Sequence, residues 1–369
     1  MPNNLAIKER EAKEVPHIPS NNQSTTPPPK SLFILRLSAI GDVCHTIATL
    51  QAIQKQWPTT KITWLIGKTE YPLVSHLSNV EFIQFDKSQG IKEYLRLNRI
   101  LKNRYFDILL HMQVSLRASL ASVFIKARER WGFDYTRAKD LQWLFTNKRI
   151  PAKSNCHVAD GLMQFATAIG ITTQNTLSWD FTSSQDAQNW TIDHKIQNDK
   201  YVVISPSASH PNRNWNTEFY VKVADYLTSL SLKVYITGSR SIKEINLAKT
   251  IIQSSKSPLI DMSGKTTLPQ LTALIEGAEF IVSPDSGPAH IATLVNTKVI
   301  GLYAISNPQR TGPYHSIKSC VSVYETLLKE QTGKKITQVK WGTRLKGHHL
   351  MSRISVDEVI NSIKTNILI

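Results

Sequence analysis

The sequence predicts an α/β protein made of two successive doubly wound parallel sheets that face a common cleft. Three observations carry that expectation. Short apolar runs alternate with segments of helical periodicity along most of the chain, the alternation pauses and restarts once near the middle, and 369 residues suffice for two ordinary domains. A strand followed by an amphipathic helix and another strand makes parallel neighbours, because the helix returns the chain to the edge from which it started.

Residues 1–30, ending in NNQSTTPPPK, are polar and proline-rich and read as a disordered leader. The first unit, residues 31–175, opens with the buried strand SLFILRL and a helix over Val43–Trp57. KITWLIG and EFIQFD follow as strands, IKEYLRLNRILKNRY as a helix and DILLHMQ as a strand; beyond WGFD a helix runs through HVADGLMQFATAIG. Residues 176–199, with TSSQDAQ and IQNDK, read as linker. In the second unit, residues 200–369, strands YVVISPS, KVYITG, LIDMSG, EFIVSPD and VIGLYA alternate with helices TEFYVKVADYLTSLS, IKEINLAKTIIQ, LPQLTALIEGA and PAHIATLV. A last amphipathic helix, SVDEVINSIKTNIL, closes the chain.

A net charge of +16 implies an anionic partner such as a phosphorylated substrate, nucleic acid or a membrane surface. The excess is regional. Residues 101–150 carry ten basic and four acidic side chains and residues 301–350 carry eight and two, but neither window is the unbroken basic tract of a nucleic-acid arm, and no nucleic-acid partner is expected. Cys44, Cys156 and Cys320 are widely spaced, without ligand spacing for zinc, which fits a reducing compartment and no structural metal. No apolar run reaches the length of a membrane span and the N-terminus lacks the apolar centre of a signal peptide, so the expectation is a cytoplasmic protein whose basic surface contacts an anionic leaflet.

Two strand-to-helix junctions concentrate the chemistry. In RLSAIGDVCHT, Asp42 stands where the first strand hands over to a helix, either as a helix cap or as a carboxylate in the crevice beyond the strand ends. In VSPDSGPAH, the strand ends at Pro284, Ser286 or Gly287 serves as N-cap, and Pro288 starts a helix where its missing N–H costs nothing. Free backbone N–H groups, the Ser286 hydroxyl and the His290 ring then converge on one spot, with Gly287 admitting close approach, an arrangement that suits a diphosphate. Asp285 beside it is either a turn former or a ligand contact. SPSASHPNRNW follows another strand of the second unit, and its Ser207, Ser209 and Arg213 offer donors to phosphate oxygens. GxGxxG after the first strand, GxxxxGK[ST], DxD and GxSxG are all absent, and adjacent His348 and His349 lack spaced partners for a metal.

Taken together, RLSAIGDVCHTIATLQAI, SPSASHPNRNW, the long run from MSGKTTLPQ through SNPQRTGPY, and ISVDEVINSI resemble the bacterial lipopolysaccharide heptosyltransferases, glycosyltransferase family 9, in the same order from about Leu32 onward. HMQVSLRASL, RWGFD and HVADGLMQFATAIG are similar to landmarks of that family's first half. The resemblance implies the GT-B architecture of two Rossmann-like domains and metal-free, inverting transfer of heptose from ADP-heptose to the lipopolysaccharide inner core, with no cofactor. It is greatest to the members that add the first heptose. It also implies that Asp42 is the general base, that Ser286, Gly287 and His290 bind the diphosphate, and that Asp285 lies beside the nucleotide sugar. Ser207, Ser209 and Arg213 fall in the phosphate loop, Arg213 standing where close relatives often carry Lys. Glu244 and Thr266 fall near positions that contact ribose and adenine. Because such an acceptor is anionic and sits on a membrane leaflet, Arg117, Arg128, Arg130 and Arg137 become candidates for acceptor or leaflet contact at the cytoplasmic face of a Gram-negative inner membrane. A later-acting family member, use of another nucleotide sugar, and a sugar-nucleotide epimerase on the same fold stay open.

Overall fold

The computed structural model describes residues 27–173 and 176–367. Within them, twelve strands form two six-stranded sheets in which every pairing is parallel. The first sheet contains β1 (Ser31–Leu35), β2 (Lys61–Gly67), β3 (Val80–Phe85), β4 (Phe106–His111), β5 (Ala127–Gly132) and β6 (Lys148–Arg149). The second contains β7 (Tyr201–Ile204), β8 (Lys233–Ile236), β9 (Ile260–Asp261), β10 (Phe280–Pro284), β11 (Lys298–Tyr303) and β12 (Val321–Ser322). The order β3-β2-β1-β4-β5-β6 recurs as β9-β8-β7-β10-β11-β12, so the same winding is used twice. Each sheet reverses direction at its centre, between β1 and β4 and between β7 and β10, and it is outside the carboxyl ends of such strands that open α/β sheets bind ligands.

The central strands explain why the sequence reads as apolar runs rather than alternation. Leu32, Phe33, Ile34 and Leu35 of β1 are all fully buried because helices cover both faces of the sheet. β5 is different: its sequence ARERWG has no apolar run, and it holds its place through pairing with β4 and β6. Of the leader, residues 1–26 lie outside the described residues, whereas the Pro29 carbonyl accepts from Thr60 Oγ1 at 2.7 Å and the Lys30 carbonyl from Lys61 N at 3.0 Å. The segment read as linker contains the helix Gln185–Asp193, which buries Ala187 and Thr191 and packs against the helix Leu268–Glu276; just before it, the Ser183 backbone N–H donates to Glu276 at 3.1 Å. Only one narrow face of that helix is apolar, which is why its sequence reads as surface.

One cluster of buried apolar side chains runs across the boundary between the halves, from Ile34, Val43 and Ile47 through Phe165 and Phe181 to Ile281, Ile291 and Val299. Directional bonds cross the same seam. His157 donates from Nε2 to the Gly312 carbonyl at 2.9 Å, Tyr314 donates to Asp160 at 2.8 Å and Trp341 Nε1 to the Cys156 carbonyl at 2.9 Å. The three cysteines are unpaired.

Two buried histidines make this fold sensitive to acid. His157 caps the helix Val158–Ala168 by accepting from Ala159 N at its Nδ1, and burial pushes its pKa down to about 4. His111, at the end of β4, is pushed down to about 3 by burial and then by the charge of Arg130. Unfolded, each titrates near 6.5, so below that pH the unfolded chain binds protons that the folded chain refuses. Stability therefore falls as pH drops from about 6.5 towards 4, each of these two groups contributing about 1.4 kcal/mol per pH unit. Thermal melts should show Tm declining steadily from pH 6.5 to pH 4.5 with a shallower slope in His157→Gln, and equal slopes for the two proteins would contradict the assignment.

Candidate active site

The first helix spans Ile40–Gln56, starting three residues earlier than its sequence suggests. Its N-cap is Ala39, which has no side chain able to cap, and Asp42 lies inside the first turn. The Asp42 carboxylate is therefore free of the capping role. Instead its Oδ2 is ion-paired with Arg36, the residue that follows β1, while a third of the Asp42 side chain stays exposed. Arg36 itself is almost wholly buried and donates from a second guanidinium nitrogen to the Met112 carbonyl at 2.5 Å, beyond β4. Gln113 completes the frame by accepting from Leu37 N at 2.7 Å and Ser38 N at 3.3 Å. The loop leading to Asp42 is thus pinned across the reversal point of the first sheet, with Asp42 Oδ1 unengaged by any hydrogen bond among the described residues.

Across the gap stands the matching junction of the second sheet. Ser286 is the N-cap of the helix Gly287–Leu294, with Pro288 in its first turn, but its hydroxyl pairs with Ser283 Oγ at 2.8 Å and does not cap the helix. Two helices thus begin here without a side chain closing off their N–H groups, so both present partial positive charge to the cleft. Asp285 is buried; its Oδ2 accepts from Ser306 Oγ at 2.7 Å and lies 3.1 Å from Arg213 Nη1. Arg213 also donates to the Asp285 carbonyl at 2.8 Å and to Ser209 Oγ at 2.5 Å. Asp285 and Ser209 therefore orient Arg213, with Asp285 Oδ2 committed to Arg213 and Ser306.

The two junctions touch. A Cβ added to Gly41 would lie 2.4 Å from His290 Cδ2, and one added to Gly287 would lie 3.5 Å from Ile40 Cγ2. Glycine at position 41 is what lets the His290 ring lie on the backbone of the opposite half. His290 is buried with no partner for Nδ1 among the described residues, and its ring centroid is 4.8 Å from that of His45, which is in turn 5.4 Å from His157. Burial lowers the pKa of all three, so the seam rings are neutral near pH 7; for His290 the carboxylates of Asp285 and Asp42 oppose that shift.

The fold brings Asp42, Arg213, Asp285, Ser286, Gly287 and His290 to this one gap. Ser207 is half-buried in the same loop as Ser209, at the end of β7. Glu244 and Thr266 lie farther along that edge: Glu244 accepts from Ser239 N at 2.8 Å beyond β8, and Thr266 is half-buried just before the capping box of Thr267 and Gln270. The four first-half arginines divide. Arg117 and Arg128 are exposed. Arg130 instead donates to the carbonyls of Phe145 at 2.8 Å and Ser122 at 2.8 Å and also to that of Ile125, and Arg137 binds Asp134, Gln164 and the Pro151 carbonyl. Those bonds give Arg130 and Arg137 internal bracing roles in place of the acceptor contact their charge suggests. Two residues that sequence reasoning passes over join the site. Arg36 is a lone cation ending an apolar strand, and that is its only sequence signal. Arg310, in RTGPY, has its guanidinium 3.3–3.5 Å from where a Cβ on Gly342 would stand and makes no hydrogen bond or ion pair among the described residues, while Asp42 is its strongest attractive charge.

Two Rossmann-like units with their switch points face to face form the GT-B architecture. A model described as glycosyltransferase family 9 (heptosyltransferase) matches residues 94–340. The lipopolysaccharide core heptosyltransferase OpsX of Haemophilus influenzae is 42% identical over 339 residues, spanning 92% of this chain and 97% of OpsX. Lipopolysaccharide heptosyltransferase 3 of Escherichia coli is 26% identical over 282 residues, 72% of this chain and 80% of that protein. The structure of the E. coli heptosyltransferase WaaC with ADP matches with a TM-score of 0.71 at 18% identity, across 91% of this chain and 99% of that one. The chain belongs to glycosyltransferase family 9, the heptosyltransferases.

The close approach of the two junctions is directly testable. Gly41→Ala should force His290 away and cost about 1–3 kcal/mol, as overpacking in a filled interior does, whereas Gly287→Ala meets only ordinary contacts and should melt near the parent. Equal Tm values for the two variants would show that the halves do not meet as described.

Proposed function

We propose that this protein transfers heptose from ADP-heptose, with inversion, to the Kdo-containing inner core of lipopolysaccharide, adding the first heptose at the cytoplasmic face of the inner membrane. The observation that carries this reading is the opposition, across one gap, of an Arg36-held carboxylate and an uncapped helix N-terminus. The 42% identity to a protein named as a lipopolysaccharide core heptosyltransferase supports the sugar and the acceptor class, and WaaC, whose structure was solved with ADP, supports the nucleotide.

In this reading the acceptor hydroxyl donates its proton to Asp42 Oδ1 while its oxygen bonds to the anomeric carbon. The bond from that carbon to the diphosphate breaks on the opposite face, which inverts the centre in a single displacement. Negative charge then grows on the departing ADP. The N–H groups of the Gly287 helix, neutral His290, and the Arg213 and Arg310 guanidiniums are the groups placed to receive it, which is how preorganised dipoles lower such a barrier. Ser207 and Ser209 flank the phosphates, and Glu244 and Thr266 lie where ribose and base would extend along the sheet edge. We propose that these protein groups neutralise the diphosphate without a metal ion.

With purified protein, Asp42→Asn should lower kcat at least about 10²-fold while leaving ADP affinity near that of the parent. Loss of one hydrogen bond or cation on a charged group predicts an ADP affinity about tenfold weaker for His290→Ala and for Arg310→Gln, read by calorimetry. A chelator should leave the transfer rate unchanged. Preference for UDP over ADP would overturn the donor, and an undiminished kcat in Asp42→Asn would overturn the base.

A further inference from the structure

The first half carries an exposed apolar surface that the transfer reaction does not use. Leu116, Leu120 and Val123 follow one another at helical spacing along the helix Leu116–Ser122 and its C-cap, and are 55%, 43% and 57% exposed. The 3₁₀ turn Gln142–Phe145 packs beside that helix, and Leu141, Trp143 and Leu144 there are 55%, 42% and 59% exposed. Six large apolar side chains in water on two neighbouring short elements are more than scattered surface residues account for.

The two elements are fastened to each other at both ends. At one, Leu116 N donates to Asp140 at 3.2 Å. At the other, Arg130 reaches Ser122 and Phe145 together, at 2.8 Å each, so an arginine with no carboxylate partner among the described residues holds this surface in shape. The surroundings are basic: Arg117, Lys126, Arg128, Lys139 and Lys148 are exposed near the patch in sequence, while its exposed acid, Asp140, is bonded to Leu116 N. Apolar side chains with a basic rim complement an anionic lipid surface, where each Lys or Arg near the headgroups adds about 1 kcal/mol and the apolar groups enter the acyl boundary. Among the described residues no helix is long and apolar enough to cross a membrane.

The patch is also wired to the site. Between exposed Leu141 and Trp143 lies Gln142, fully buried, whose amide donates to the carbonyls of His111 at 2.9 Å and Gln113 at 3.2 Å. Gln113 in turn holds the Leu37 and Ser38 N–H groups of the loop that leads to Asp42. A lipid surface under Trp143 thus lies one hydrogen-bonded relay from the proposed base.

We infer that Leu116, Leu120, Val123, Leu141, Trp143 and Leu144 form a docking face for an anionic phospholipid surface, which presents a lipid-linked acceptor to the Asp42 cleft. The inference rests on the proposed lipopolysaccharide acceptor, and its test is separable from it. Full-length protein is sedimented with phosphatidylethanolamine–phosphatidylglycerol vesicles and with phosphatidylcholine vesicles, and its transfer from ADP-heptose to an acyl-free, Kdo-terminated acceptor is measured in solution. The parent should bind the anionic vesicles and scarcely the zwitterionic ones, and Leu120→Glu/Trp143→Glu should weaken that binding at least about tenfold with ADP affinity and solution transfer unchanged. Leu116→Ser/Leu144→Ser, which adds no charge, should weaken it in the same direction and serves if the first variant folds poorly. Vesicle binding equal to the parent in both variants, or no binding by the parent, overturns the docking face. So does a parent dimer that either variant splits, since the patch is then covered by a second copy. Patch-dependent vesicle binding without any transfer would instead overturn the proposed reaction and leave the docking face standing.

Discussion

Everything at the centre of this molecule depends on two helices beginning within van der Waals reach of each other from opposite halves of the chain. That approach is possible only because residue 41 is glycine and presents bare backbone to the His290 ring. Once the helices meet, neither first turn has a capping side chain, and two sets of backbone N–H groups share one gap. Unsatisfied donors of this kind are tolerable where water or an anionic ligand can reach them. The winding of both sheets serves the same end, since each reversal point delivers its central loops to the gap from one side.

Electrostatics follow from that packing. The seam rings are held neutral by burial, so the fixed charges of the gap are carboxylates and guanidiniums, and these fall into committed and uncommitted members. Arg36 and Arg213 each pair with the aspartate of their own half, and Arg36 thereby positions Asp42. Among the described residues Arg310 has no such partner and meets Asp42 and Asp285 only at longer range. A cation in that state costs desolvation without local recompense, which the diphosphate of the proposed reaction would supply.

Much of this was legible in the sequence, and what was not has identifiable causes. Apolar runs such as KITWLIG mark strands because both faces of each sheet are covered, and the Pro288 junction marks a helix start through chemistry local to four residues. The first helix began three residues early because Ala39, Ile40 and Gly41 carry no capping signal, and the choice between Asp42 as cap and Asp42 as cleft carboxylate turned on Arg36, whose pairing across a loop is tertiary. Strand β5 was hidden by its charges, and the reason for one of them, Arg130, lies in carbonyls five to fifteen residues away. Counting basic residues located the charged region, but could not separate arginines facing solvent from arginines bracing the interior.

The apolar cluster that runs unbroken from Ile34 to Val299 has a consequence for how this protein comes apart. Two sheets that each close their own core would melt as two bodies, and a cut between them would leave two viable fragments. Here each half has a buried cluster of its own, but a third draws side chains from both, so a separated half would expose a face that is covered in the whole chain. The halves are successive in sequence, yet the cluster they share couples the stability of each to the presence of the other.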